Sequence, residues 1–286
     1  MVTSESVNLD DIVPVLYQER SYSTPLRTKA FHKLIYFIHK ELSAEPEIES
    51  NIGLFWYKYG TCARTSQSPL LEVVETGGGH EIKLNESGVS TDLSTSAEWT
   101  VRDVVTGVLE RYYERGLEGI TDLQYEDAPY QLQRNYRQLD KRIGSIKSSG
   151  DVNTTEFDRV GFRRLLNDFV QVYPTEAFPE HENELYHCYS ILSERIDNPE
   201  ATIGHLERVL DTFWSLFCVD LAESTATNTS SMSVLSDLGI DEPHEAKEEL
   251  REQIHEYDED YLTVKETSEV ADEAAEAVMV SRLRAD

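Results

Sequence analysis

The chain has 286 residues, 39% of them hydrophobic, and a net charge of -28 from 54 Asp and Glu against 26 Lys and Arg. That length admits two domains with real cores, and without a run of roughly 18 apolar residues no membrane-spanning helix is expected. The start, MVTSESVNLDD, lacks the basic and apolar stretches of a signal peptide, so a cytoplasmic location is expected; the scattered Cys62, Cys188 and Cys218 offer neither a disulfide framework nor a CxxC zinc pair.

In chain order, Leu9 to Glu19 reads as a short helix that Pro14 bends or shortens. Thr24 as N-cap and Pro25 in the first turn open a second helix, LRTKAFHKLIYFIHKEL. Its Leu26, Ala30, Leu34, Phe37 and Ile38 fall on one apolar stripe. IGLFWYKYG reads as a strand ending in a turn, with Phe55, Tyr57 and Tyr59 on one face and Trp56 and Lys58 on the other. Gly60 lets the backbone turn where a side chain would clash. LLEVVETGGGHEIKL reads as a hairpin around Gly77, Gly78 and Gly79.

Ser96 is positioned to cap a helix from Ala97 to Arg115, with Gly116 at the stop position. ITDLQYEDAP reads as a connector, and Pro129 opens a helix to about Ile143. This order predicts a small α+β, winged-helix-like domain over 1–149. KSSGDVNTT is linker-like, and helical patterns over 156–172, 178–196 and 199–222 predict a helical domain at 150–222. The last pattern carries an apolar face that includes Leu206, Leu210, Phe213, Trp214 and Phe217. The Ser/Thr-rich residues 223–240 read as a mobile linker, and 241–286 as acidic C-terminal helices, Glu242–Tyr257 and Lys265–Arg284. The fold class expected is therefore mainly α, with strands confined to the N-terminal part.

Charge divides unevenly along this layout. Residues 1–149 carry 22 acidic and 16 basic residues, a net of -6; the remainder carries 32 and 10, a net of -22. Carboxylates run through most predicted elements, and Arg outnumbers Lys. Such a surface repels itself in dilute buffer and is screened by salt, which fits a salt-loaded cytoplasm of the halophilic archaeal type.

No phosphate loop, GxSxG or HExxH motif is present, so neither an enzyme nor a cofactor is expected. His181, Glu184, His187 and Cys188 include i, i+3 and i, i+4 pairs of metal-binding types. Zinc sites need three or four convergent ligands, however, and Leu185 and Tyr186 favour ordinary packing, so no metal is expected. His32 and His39, with Lys33, Lys40, Lys29 and Arg27 beside them, form a basic patch that reads chiefly as a solvated face. Arg134, Arg137 and Lys141 lie at i, i+3 and i+7, with Arg142 adjacent. This one-sided positive stripe can meet nucleic acid or an acidic partner, or pair with the chain's own carboxylates.

Three segments carry a resemblance. KAFHKLIYFIHKEL, then WYKYG, then the stretch from Tyr125 to Tyr130 resemble the Panacea domain, the SocA-like antitoxin family. Family members show a K-L-x-K-L-x-Y-F helix, a strand ending K-Y-G-P and a closing Ser/Thr-His-x-x-x-Pro-aromatic segment. Lys29, Lys33, Leu34, Tyr36 and Phe37 match the first, Lys58, Tyr59 and Gly60 the second, and Tyr125, Pro129 and Tyr130 the third, over about residues 10–145. Thr61 stands where proline is usual, and Tyr125 where histidine is common. The resemblance implies a regulatory domain: members neutralise toxins, and one type acts as an adaptor for proteolysis.

The expected function is a non-enzymatic interaction protein, antitoxin-like or adaptor-like, with a protein partner. The alternative is a winged-helix DNA-binding regulator that uses the Arg134–Arg142 helix and the glycine hairpin as a wing. The candidate partner or nucleic-acid contacts are Arg134, Arg137, Lys141 and Arg142, with Lys58 and Arg64 at the exposed edge of the aromatic strand.

Overall fold

The computed structural model describes residues 4–20, 26–77, 79–85, 91–148, 158–197 and 203–257. The expected Thr24 cap, Pro25, Gly78, most of the 147–155 linker, the start of the 199–222 pattern and the 265–284 helix lie outside these residues. The fold is mainly α, and every described strand falls before residue 85.

Two compact units divide the chain. The first takes Met1–Arg134 and Cys218–Pro243, the second Asn135–Phe217 and His244–Asp286. Both cuts differ from the boundaries expected at 149 and 222, because spatial proximity rather than loop composition groups the residues.

The first unit is built on three helices, α1 (Leu9–Glu19), α2 (Thr28–Leu42) and α3 (Thr95–Glu126). Pro14 sits inside α1 and is buried with Ile12, Val13 and Leu16. α2 begins after a two-residue strand and buries Phe31, Leu34, Ile35 and Ile38, the i, i+3, i+4 and i+7 positions of one face. Ser94, two residues before the expected cap, accepts from the Ala97 amide at 3.3 Å and starts α3. Gly116 has φ 68° and kinks α3, but helix resumes at once, so the expected connector ITDLQYEDAP (120–129) is helical as far as Glu126. Ile120, Gln124 and Tyr125 turn inward there and justify the extra turns by burial.

Among the described residues seven short strands flank these helices: β1 (Glu5–Val7), β2 (Leu26–Arg27), β3 (Ile48–Ser50), β4 (Leu54–Tyr57), β5 (Gly60–Ala63), β6 (Leu71–Thr76) and β7 (Gly79–Leu84). β1 pairs with β3 in parallel, β2, β7 and β6 form an antiparallel sheet, and β4 folds back on β5 with Tyr57 opposite Gly60. The expected glycine hairpin is β6–β7. The aromatic strand alternates as its pattern predicts. Phe55 packs with Ala222 and Val234, while Trp56 turns away and meets Tyr125 edge-on with ring centroids 5.2 Å apart.

Residues 223–240 are not a mobile linker. Leu54 and Thr227 form an antiparallel bridge, and the Trp56 amide donates to Thr225 Oγ1 at 2.8 Å. Ser230 caps a short helix, α8 (Ser231–Asp237), which buries Val234 and Leu235. Composition predicts mobility here because hydroxyl side chains are poor core formers; in the structure those hydroxyls satisfy backbone groups instead.

The second unit contains most of α4 (Gln131–Ser148), α5 (Arg159–Gln171), α6 (Glu182–Asp197), most of α7 (Ile203–Ser224) and α9 (243–257). Its core is aromatic. Tyr136 stacks on Trp214 at 3.9 Å, Phe169 meets Phe213 edge-on, and Phe178 meets Phe217 at 4.8 Å. Arg251 of α9 donates to Glu184 of α6 at 3.0 Å.

Candidate interaction site

Lys33 is the unexpected residue of α2. Its neighbours in sequence make it part of a basic patch, yet it is buried, 3% exposed. Its ammonium donates to the Tyr59 carbonyl and to Gln124 Oε1, joining α2, the β4–β5 turn and the second part of α3. A buried charge is costly unless oxygens replace its water, and these two acceptors do so. Gly60, with φ 114°, lies directly against them. A Cβ there would fall well inside contact distance of both Gln124 Oε1 and Lys33 Nζ, so glycine is required for space as well as for backbone conformation.

The next carbonyl along the turn is also taken. Tyr125 Oη donates to the Lys58 carbonyl at 3.1 Å while its ring meets Trp56. Two successive carbonyls of the turn are thus held from the interior. What the turn presents outward is Tyr59, 54% exposed, with Lys29 Nζ 3.5 Å from its ring centroid. Lys58 is half-buried, with Nζ 5.9 Å from the Tyr57 ring. All three segments that carry the family resemblance therefore meet at one place: Lys29 and Lys33, Lys58 to Gly60, and Tyr125.

The rest of the α2 patch divides: Arg27, Lys29 and Lys40 are exposed, as a solvated face requires, while the two histidines are turned into the fold. His32 Nδ1 accepts from the Ala63 amide at 3.1 Å, and burial together with the Lys33 charge pushes its pKa down to about 4. His39 Nδ1 lies 2.8 Å from Ser50 Oγ, and burial lowers its pKa too. Lys40 pairs with Asp127 at 2.5 Å, and Asp127 also accepts from Tyr36 Oη. Burial drives the Cys62 thiol up to about 11 and raises Cys188 and Cys218 as well, so all three are held as thiols rather than reactive thiolates.

Arg64 is not at an exposed edge. Its guanidinium donates to Asp237 at 2.6 Å and to Thr229 Oγ1 at 2.7 Å, with only 13% of the side chain accessible. It clamps α8 onto the sheet, a partner 173 positions away that local sequence does not display. The arginine stripe is also engaged. Arg134 donates to the Ala128 carbonyl and to Gln131, Arg137 pairs with Asp140 at 2.7 Å, and Arg142 lies 3.3 Å from Asp158. Lys141 is exposed. Arg134 belongs to the first unit and the other three to the second.

Of the metal-binding types on α6 and just before it, Glu184 meets Arg251, His187 faces His255 at 4.8 Å between ring centroids, and His181 and Cys188 are buried. Among the described residues no group of three His, Cys, Asp or Glu could hold a metal ion, and no helix is long and apolar enough to cross a membrane.

Two features escape the sequence reading. Gln124 holds Lys33 across 91 positions, and only its place beside the matched Tyr125 hints at it. On α5, Arg159, Arg163 and Arg164 line an open groove, a cluster visible in the sequence as arginines at i, i+4 and i+5.

Comparison with protein-family models, with curated proteins and with solved structures finds no match.

Proposed function

We propose that the chain is a non-enzymatic interaction protein whose first unit recognises a protein partner through the β4–β5 turn, in the antitoxin-like or adaptor-like manner that its resemblance to the Panacea domain implies. The observation that carries this reading is the construction of the turn. Buried donors fix both of its carbonyls, and the exposed product is one tyrosine with a lysine over its ring. A side chain held in place before binding loses little conformational freedom on contact, and tyrosine is enriched among residues that dominate interfaces. The net charge of -28 fits the proposed high-salt cytoplasm, where the apolar part of such a contact persists while long-range charge attraction is screened. The DNA-regulator alternative draws little support from the α4 arginines, because Arg137 and Arg142 already meet carboxylates of this chain.

Site-specific photo-crosslinking in cells tests the proposal. A photoreactive residue in place of Tyr59 is expected to capture one discrete protein, whereas the same residue in place of exposed Trp99 on α3 captures none. Identical capture patterns from both positions would remove the turn as a recognition site.

A further inference from the structure

The three-stranded sheet of the first unit runs in the order β2, β7, β6, which puts β6 at its edge. β6 pairs with β7 so that Leu71 lies opposite Leu84, Val73 opposite Ile82 and Glu75 opposite His80. The ladder continues one step further, where the Asn85 amide donates to the Leu70 carbonyl at 2.7 Å. In an antiparallel ladder, pairs that exchange hydrogen bonds alternate with pairs that do not. Leu70 with Asn85 is a bonded pair, so Glu72 and Val74 bond to β7, while Leu71, Val73 and Glu75 turn their amides and carbonyls to the outer side. The Leu71 amide follows this alternation: it donates to the Ser68 carbonyl at 3.2 Å and not to β7. Val73 and Glu75 thereby direct their N–H and C=O groups along the outer edge.

The side chains on this edge are exposed, Val73 to 53%, and Glu72 and Glu75 with it. Val73 ends an apolar row that crosses the sheet. Leu26 lies opposite Ile82 and Ile82 opposite Val73, the first two only 3% and 0% exposed. A further strand extends that row and covers the valine, adding apolar contact to the main-chain bonds. Glu75 stands on the same face of the sheet as Val73, and Glu72 on the other.

We infer that β6 accepts an extended basic peptide as a fourth strand, antiparallel to it. Edge strands take up peptides in this way: main-chain bonds give affinity, and alternate side chains give specificity. Charge selects the occupant. A second copy of this chain crowds the Glu72 and Glu75 carboxylates of both strands onto one short ribbon, and charges placed on an edge discourage such self-pairing. The same carboxylates attract lysine or arginine on an incoming strand. Register then sets the pattern of the peptide. A basic residue lies opposite Glu75, a strand-forming residue opposite Val74, an apolar one opposite Val73 and a second basic residue opposite Glu72. This surface is separate from the β4–β5 turn and does not rest on the role proposed for it.

The test is fluorescence anisotropy of the full chain with a labelled TKVVKT peptide, over KCl concentrations at which circular dichroism shows the helices intact. Saturable binding is expected. N-methylation of the first lysine and second valine, whose amides face β6, is expected to abolish it. N-methylation of the first valine and second lysine, whose amides face away, is expected to leave most of it. Val73→Pro removes an outward N–H without touching the β7 ladder, and is expected to weaken binding about tenfold at an unchanged urea midpoint. The double variant E72K/E75K is expected to prefer TEVVET to TKVVKT, and Tyr59→Ala to bind as wild type does. No saturable binding at any salt where the chain is folded overturns the inference. Equal loss from both methylation patterns, wild-type affinity in V73P, or equal wild-type affinity for TEVVET also overturns it. Loss of binding in Y59A overturns it in favour of the turn. A dimer in sedimentation velocity that V73P dissolves overturns it in favour of a second copy.

Discussion

The β4–β5 turn and the α5 face are built in opposite ways. The turn spends its polar groups inward: Lys33, Gln124 and Tyr125 hold its backbone, and little charge reaches solvent. The α5 face keeps its core contacts on Phe162, Leu166 and Phe169 and displays its guanidinium groups on the groove side. The difference is one of coupling to stability. Changes at the turn disturb a buried polar centre whose members rely on one another. On α5, by contrast, a change at exposed Arg164 removes a surface group.

The largest separation is expected between two glycines. Gly60→Val is expected to lose about 4 kcal/mol of stability, because the new side chain meets Lys33 and Gln124 in a left-handed backbone conformation. Gly77→Ala, at a position with open space around it, is expected to stay within about 0.5 kcal/mol. Urea unfolding followed by circular dichroism reads both, and equal midpoints would show that the turn is not locked from within.

Lys33→Met removes the buried donor and leaves the Tyr59 carbonyl and the Gln124 oxygen to find new partners. The expected loss is about 3 kcal/mol, from two stranded acceptors less the relief of burying a charge. A variant as stable as wild type would mean that the ammonium costs as much to bury as its bonds return.

His32 gives a pH signature to the same centre. Its folded pKa, about 4, lies below the ordinary 6.5, so the unfolded chain binds the extra proton first. Stability from this group is complete above about pH 6.5 and is lost as pH falls toward 4, by at most about 3 kcal/mol and less where solvent reaches the ring. Melting temperatures from pH 7 to pH 4.5 should fall less steeply in His32→Gln, which keeps an acceptor for the Ala63 amide without titrating. Parallel curves would assign the acid response to other groups.

The smallest effect belongs to α5. Arg164→Ala is expected to change stability by less than about 0.5 kcal/mol, since exposed charges contribute little. A loss above 1 kcal/mol on the same urea assay would place Arg164 within the fold's own contacts and erase the contrast with the turn.

Much of this organisation is legible in the residues themselves. The alternation through Phe55, Trp56 and Tyr57, the special role of Gly60, the glycine hairpin and the aromatic face of α7 all follow from short-range rules of period and backbone freedom. What escapes depends on partners far away in sequence. Lys33 looks like a surface lysine because its acceptors are the Tyr59 carbonyl and Gln124, and Arg64 looks exposed because Asp237 is distant. Thr225, Thr227 and Ser230 look like linker because a hydroxyl that caps a backbone group has the same composition as one in solvent. The helical continuation past Gly116 was masked by a glycine that does end one helix while the next starts beside it.

The bridge between Leu54 and Thr227 also fixes an order of events in time. A ribosome adds about 5 to 20 residues per second, so the 173 positions between the two strands take roughly 10 to 35 seconds to emerge. Throughout that interval Phe55 lacks Ala222 and Val234, and the Trp56 amide lacks Thr225. The whole Asn135–Phe217 segment of the second unit is synthesised before the first unit can be finished. The N-terminal half therefore leaves the ribosome with an open apolar seam, and a message truncated before codon 225 would yield a chain that never closes it.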